Sequence, residues 1–103
     1  MDAARRAAGA ARAASLRARL AEAARLVRRA GGQRVVLFGS LAASGEPHPG
    51  SDVDLAVGGL PPGQLFEVQA DLMELFGVPV DLVRIEDAPD SLVDRIDAEG
   101  EEL

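Results

Sequence analysis

A chain of 103 residues has room for one domain around one modest core, and its 48% hydrophobic share comes mostly from Ala, Leu and Val. Having no Cys excludes disulfides and thiolate metal sites, and having no Lys excludes both a P-loop lysine and Schiff-base chemistry. The lack of Tyr and Trp, with a net charge of −6, argues against direct nucleic-acid binding, and no apolar run nears the ~20 residues that span a bilayer; the expectation is a soluble, cytoplasmic protein without membrane contact.

Charge is divided unevenly. Residues 1–34 carry nine of the eleven Arg against Asp2 and Glu22, a local balance of +7, whereas residues 35–103 carry Arg84 and Arg95 against fifteen acids, a balance of −13. Such asymmetry marks a basic arm on an acidic body, resembles a transit peptide at its Arg-rich start, or reflects a coding bias toward Arg. The first fourteen residues, Ala and Arg interrupted by Gly9, favour helix by propensity but lack large apolar side chains and are expected to fray. From Ser15, placed to cap, Leu16, Leu20, Ala23 and Val27 recur at helical spacing, and Gly31-Gly32 ends that helix.

"RVVLF" (34–38) is a β-branched apolar run that predicts a buried strand. "SLAAS" (40–44) has room for one or two helical turns before "GEPHPG" (45–50), a loop in which His48 reads as solvated. "SDVDLAV" (51–57) alternates Asp52, Asp54 and Ala56 with Val53, Leu55 and Val57, a strand with two unlike faces. Leu65, Val68, Leu72 and Leu75-Phe76 then mark an amphipathic helix with Gly77 just past its end, and Phe66, Met73 and Phe76 are expected in the core. "VPVDLVRI" (78–85) predicts a third strand with Pro79 at its start. A last helix begins at Asp90 or Ser91, where Ser91 and Asp94 have capping-box spacing, and "AEGEEL" reads as a tail. The acids at 86, 87, 90, 94 and 97 predict a solvated face, and Arg84 a surface ion pair. The order predicts a single small α/β domain over 1–103.

Asp52 and Asp54 carry the chemistry. Two apart on a strand, they share a face, and two such carboxylates suit either a solvated sheet face or a site for divalent cations. Two features favour cations. The first strand runs directly into Gly39-Ser40 at the start of a helical turn, where backbone N–H groups gather and phosphate can bind. Asp81 interrupts an otherwise apolar strand, which is costly unless it faces the same polar site. Three strand-borne carboxylates beside a phosphate-binding turn suit two Mg²⁺ ions that bridge protein and triphosphate oxygens.

Gly39-Ser40, eleven intervening residues, then Asp52-Val53-Asp54-Leu55 and a distant Asp81 resemble the DNA polymerase β-type nucleotidyltransferase pattern. In one-domain form the chain is similar to the minimal nucleotidyltransferases, MntA-like antitoxins paired with HEPN-domain toxins. The similarity runs from about Arg34 to Arg84, and the closing "LVDRIDAEGEEL" also resembles the end of that family. The resemblance implies a polymerase β-like fold, a small mixed sheet flanked by helices. It further implies that Gly39 and Ser40 hold the nucleotide phosphates, that Asp52, Asp54 and Asp81 bind the metals, and that Asp81 accepts the proton of the attacking hydroxyl. The implied reaction moves AMP from ATP to a tyrosine of a HEPN ribonuclease, silencing it. Two departures stand out: Ala43 and Ser44 occupy positions where family loops carry Arg and Gly, and the span from Ser40 to Asp52 is one residue longer. With neither Tyr nor Thr in the chain, a tyrosine acceptor must belong to another protein, and self-modification is confined to Ser. Neutralisation of a HEPN toxin by contact alone, and nucleotidyl transfer to a small molecule, are the alternatives.

Overall fold

The computed structural model describes residues 2–42 and 52–103, with side chains from residue 9 onward. His48 and the rest of the 45–50 loop, with Ala43, Ser44 and Ser51, lie outside the described residues.

The chain opens with helix α1 (Asp2–Arg17), followed after Ala18-Arg19 by helix α2 (Leu20–Arg29). The helix expected to start at Ser15 is thus two helices, and Ser15 lies inside the first. The break has a local cause. The Arg19 amide donates to the Leu16 carbonyl (3.1 Å), a tightened turn. The Arg19 guanidinium meanwhile donates to the Ser15 carbonyl (2.8 Å) and hydroxyl (2.9 Å). The predicted stripe itself holds: Leu16, Leu20, Ala23 and Val27 are all buried.

Strands β1 (Arg34–Phe38), β2 (Val53–Gly58), β3 (Val80–Arg84) and β4 (Glu101–Glu102) form one mixed sheet in the order β3-β2-β1-β4. β1 runs antiparallel to β2 and β4, while β2 runs parallel to β3 through a crossover containing helix α3 (Leu65–Phe76). Both predicted Asp-bearing strands begin later than expected, because Asp52 lies in a bend whose amide donates to the Pro79 carbonyl (3.0 Å). Alternation then divides the sheet into two faces. Val35, Leu37, Leu55, Val57 and Leu82 lie in the core that α1, α2 and α3 cover. Val36, Phe38 and Ala56 meet Ile96 of helix α4 (Asp90–Glu99). Each fully buried Leu or Val contributes on the order of 1.5–3 kcal/mol.

Helix α3 buries Val68, Leu72 and Phe76, spaced by four, as predicted, and Gly77 takes the left-handed cap with its amide on the Met73 carbonyl (2.8 Å). Phe66 and Met73 were expected in the core, yet they are 82% and 43% exposed. Helical phase explains both: Phe66 is about 200° from Val68 and Met73 about 100° from Leu72.

Two features at the end of the chain also differ from expectation. Pro89, with no side-chain cap, precedes α4, so Asp90 and Ser91 fall in the first turn and the Ser91–Asp94 capping box does not form. The Pro89 carbonyl accepts from Leu92 (3.0 Å) and Val93 (3.1 Å) instead. The expected tail is partly strand: Glu101 and Glu102 pair with Leu37 and Val36 along the free edge of β1. Gly100 permits this, since a Cβ there would stand 2.3 Å from Val36 Cγ1 and 2.4 Å from the Ile96 carbonyl oxygen.

Candidate active site

Asp54 sits second in β2, and the sheet sets its surroundings. It is paired across the antiparallel ladder with Phe38 and across the parallel ladder with Asp81. Registered partners share a face, so Asp54 and Asp81 stand side by side on strands about 4.8 Å apart. Asp54 is fully buried, whereas Asp81 is partly exposed. Two carboxylates at this spacing concentrate negative charge at one point of the sheet.

Gly39 follows directly from Phe38 and shapes the opposite side. Its φ of 72° is left-handed, and a Cβ there would fall 2.3 Å from Asp54 Oδ2. A side chain at this position is therefore excluded twice, by backbone conformation and by the carboxylate. The turn itself is a single 3₁₀ turn, Gly39–Leu41, closed by the Ala42 amide on the Gly39 carbonyl (3.1 Å). It matches the predicted start of a short helical turn. Ser40 is exposed.

Asp52 is placed differently. Its Oδ2 lies 3.0 Å from Arg12 Nη2 of α1. Arg12 and Asp52 line a pocket of about 210 Å³ with Gly9, Leu16, Ser40 and Leu41. Other hollows, of about 230 and 350 Å³, contain none of the predicted site residues. Arg17 fixes α1 against the turn, donating to the Leu41 carbonyl (2.9 Å) and to Glu101 (2.8 Å).

The structure thus brings Asp54, Asp81 and Gly39 together at the edge of the turn and joins Ser40 and Asp52 in the adjoining pocket. Among the described residues, no three His, Cys, Asp or Glu side chains converge as a ready-made metal cage. The donor chemistry nevertheless fits a hard divalent cation: carboxylates only, two in register, one of them lodged in a cradle that a Cβ would fill. Arg84 makes the expected ion pair, with exposed Asp87, but its own side chain is mostly buried and also donates to the Leu60 carbonyl (2.8 Å). Arg12 was not anticipated. The signal lay in the stripe through Leu16, because four residues back along it is Arg12, next to half-buried Ala13.

The family model described as "Polymerase beta, Nucleotidyltransferase" matches residues 26–103. The chain belongs to the polymerase β-type nucleotidyltransferases. Solved structures agree with this nucleotidyltransferase in fold. A minimal nucleotidyltransferase superposes with a TM-score of 0.73 at 32% identity, covering 88% of this chain and 95% of that one. The complex of tri-AMPylated HEPN toxin with MNT antitoxin from Shewanella oneidensis gives a TM-score of 0.67 at 24% identity, covering 84% of this chain and 70% of its match. A toxin–antitoxin with AMP-PNP gives a TM-score of 0.63 at 28% identity, covering 76% of this chain and 66% of its match. This nucleotidyltransferase therefore spans 66–70% of the matched chains in these two complexes. No curated protein matches it. The predicted mixed sheet with flanking helices is the observed fold. Among the described residues no helix is long and apolar enough to cross a membrane.

Proposed function

We propose that this nucleotidyltransferase acts as one domain that transfers AMP from ATP to a tyrosine hydroxyl of a cognate HEPN ribonuclease toxin, and so serves as its cytoplasmic antitoxin. The observation that carries the reading is the registered pair Asp54–Asp81 against the Gly39-Ser40 turn, in a chain whose fold is shared by complexes of MNT antitoxin with AMPylated toxin and of toxin–antitoxin with AMP-PNP.

In this reading Asp52, Asp54 and Asp81 hold magnesium, two ions in all, which when bound neutralise triphosphate charge and polarise the α-phosphate. Gly39 lets the backbone approach the nucleotide, and the Ser40 hydroxyl contacts phosphate. Asp81, the more open of the paired acids, accepts the proton of the attacking hydroxyl. The acceptor oxygen bonds to the α-phosphorus, the bond to the bridging oxygen breaks, and pyrophosphate leaves. The acceptor tyrosine lies outside these 103 residues, which contain no Tyr.

A second reading, neutralisation by contact alone, draws on the Arg12–Asp52 ion pair and the lack of a preassembled three-acid cluster among the described residues. Co-expression with the cognate toxin separates the two. Asp54→Asn is expected to abolish neutralisation while still co-purifying with the toxin. Undiminished neutralisation by this variant selects the contact reading.

A further inference from the structure

We infer that Arg12 of α1 is a phosphate-binding residue of this site, which engages the nucleotide triphosphate in the pocket it shares with Ser40 of the Gly39-Ser40 turn. The inference deepens the proposed nucleotidyl transfer and rests on it. Three observations carry it. First, Arg12 shares one pocket of about 210 Å³ with Ser40 and Asp52, so a ligand on the Ser40 hydroxyl lies within reach of the guanidinium. Second, the guanidinium already marks an attraction for negative charge, standing 3.0 Å from Asp52 Oδ2 while its side chain keeps 57% exposure. A cation on Asp52 would neutralise that carboxylate and leave the guanidinium facing anionic oxygens, for which its planar fork is suited. Third, α1 is held in place: Leu16 is buried one turn further on, and Arg17 binds both the Leu41 carbonyl beside the turn and Glu101.

The charge also answers a deficit in the turn itself. Ser40, Leu41 and Ala42 bring no cation to the pocket, and Ala43 and Ser44, which follow, are neutral in sequence. Among the described residues lining the pocket, Arg12 supplies the basic side chain.

The test is equilibrium binding of AMP-PNP with Mg²⁺ and of adenosine to the wild type, Arg12→Gln and Arg12→Lys, with thermal melts to check folding. Because the side chain is exposed, both variants are expected to fold without core repair. Arg12→Gln is expected to weaken AMP-PNP about tenfold or more, the loss of a hydrogen-bonded charge. Adenosine, without phosphates, is expected to bind all three alike, and Arg12→Lys to fall between. AMP-PNP binding unchanged in Arg12→Gln overturns the inference while leaving nucleotidyl transfer standing. Tighter binding in Arg12→Gln also overturns it, because Arg12 then blocks the site. No binding of AMP-PNP by the wild type overturns both readings.

Discussion

At Gly39 the backbone and the Asp54 carboxylate compete for one small volume. The left-handed φ of 72° and the 2.3 Å approach of a Cβ to Oδ2 make the residue irreplaceable without moving either the turn or the acid. Gly39→Ala is expected to cost about 2 kcal/mol or more, a fall in melting temperature on the order of 10 °C for a domain of this size. It is also expected to abolish nucleotidyl transfer, because the displaced group is Asp54 itself. A melt within about 1 °C of wild type would show that the turn relaxes freely. Much of this is legible in the sequence: Gly-Ser after an apolar strand, Asp54 on the next and Asp81 on the third. What the sequence did not show was that Asp52 precedes the strand instead of lying in it. That depends on its amide being held by the Pro79 carbonyl, a contact between residues 27 apart.

Elements were legible where periodicity reported burial, and less so where tertiary pairing made them. Helix α3 illustrates the first case. Its stripe through Val68, Leu72 and Phe76 is buried as spaced, yet Phe66 and Met73, which stand at helical spacing from Phe76 and are expected in the core with it, fall on the side of the helix turned away from the sheet. Phe76→Ala is expected to cost about 3–5 kcal/mol and Phe66→Ala less than about 0.5 kcal/mol, both by denaturant unfolding. Equal costs would contradict the observed phase. Strand β4 illustrates the second case, because two residues carry no alternation to read. It exists because Gly100 fits against Val36 and because arginines bind its acids. Hydrogen bonds from Arg34 hold the Glu102 carboxyl below the usual glutamate range and raise the Arg34 guanidinium in turn. A carboxyl lowered by folding stabilises the fold fully above its unfolded range and loses that contribution as pH falls through the lower folded value. The Leu103 amide, which donates to the Val35 carbonyl (2.8 Å), is therefore expected to lose exchange protection under acid, with a step that Glu102→Gln removes. Both partners are exposed, so the change is small, about 1 kcal/mol or less, and shrinks with salt. A step of the same size in Glu102→Gln would assign it to another group.

Across the whole molecule, the charge division seen in the sequence becomes an internal clasp. Arg17 pairs with Glu101, Arg34 with Glu102 and Asp97, and Arg28 donates to the Leu103 carbonyl, so part of the basic first third holds the acidic last turn and strand. Composition alone left this asymmetry open between a basic arm, a leader-like segment and coding bias, because it says nothing of which ends meet. The same clasp sets α1 beside the Gly39–Leu41 turn, where Arg12 reaches Asp52. One architecture thus closes the sheet edge and walls the pocket. Nucleotidyl transfer by this pocket and the neighbouring Asp54–Asp81 pair is the chemistry proposed for the molecule. Its most direct measurement is transfer of α-phosphate label from ATP, with Mg²⁺, to the cognate HEPN toxin by the wild type and by Asp54→Asn. Label is expected on the toxin with the wild type and none with the variant. Tight binding of the two proteins with no label transferred by the wild type would contradict it.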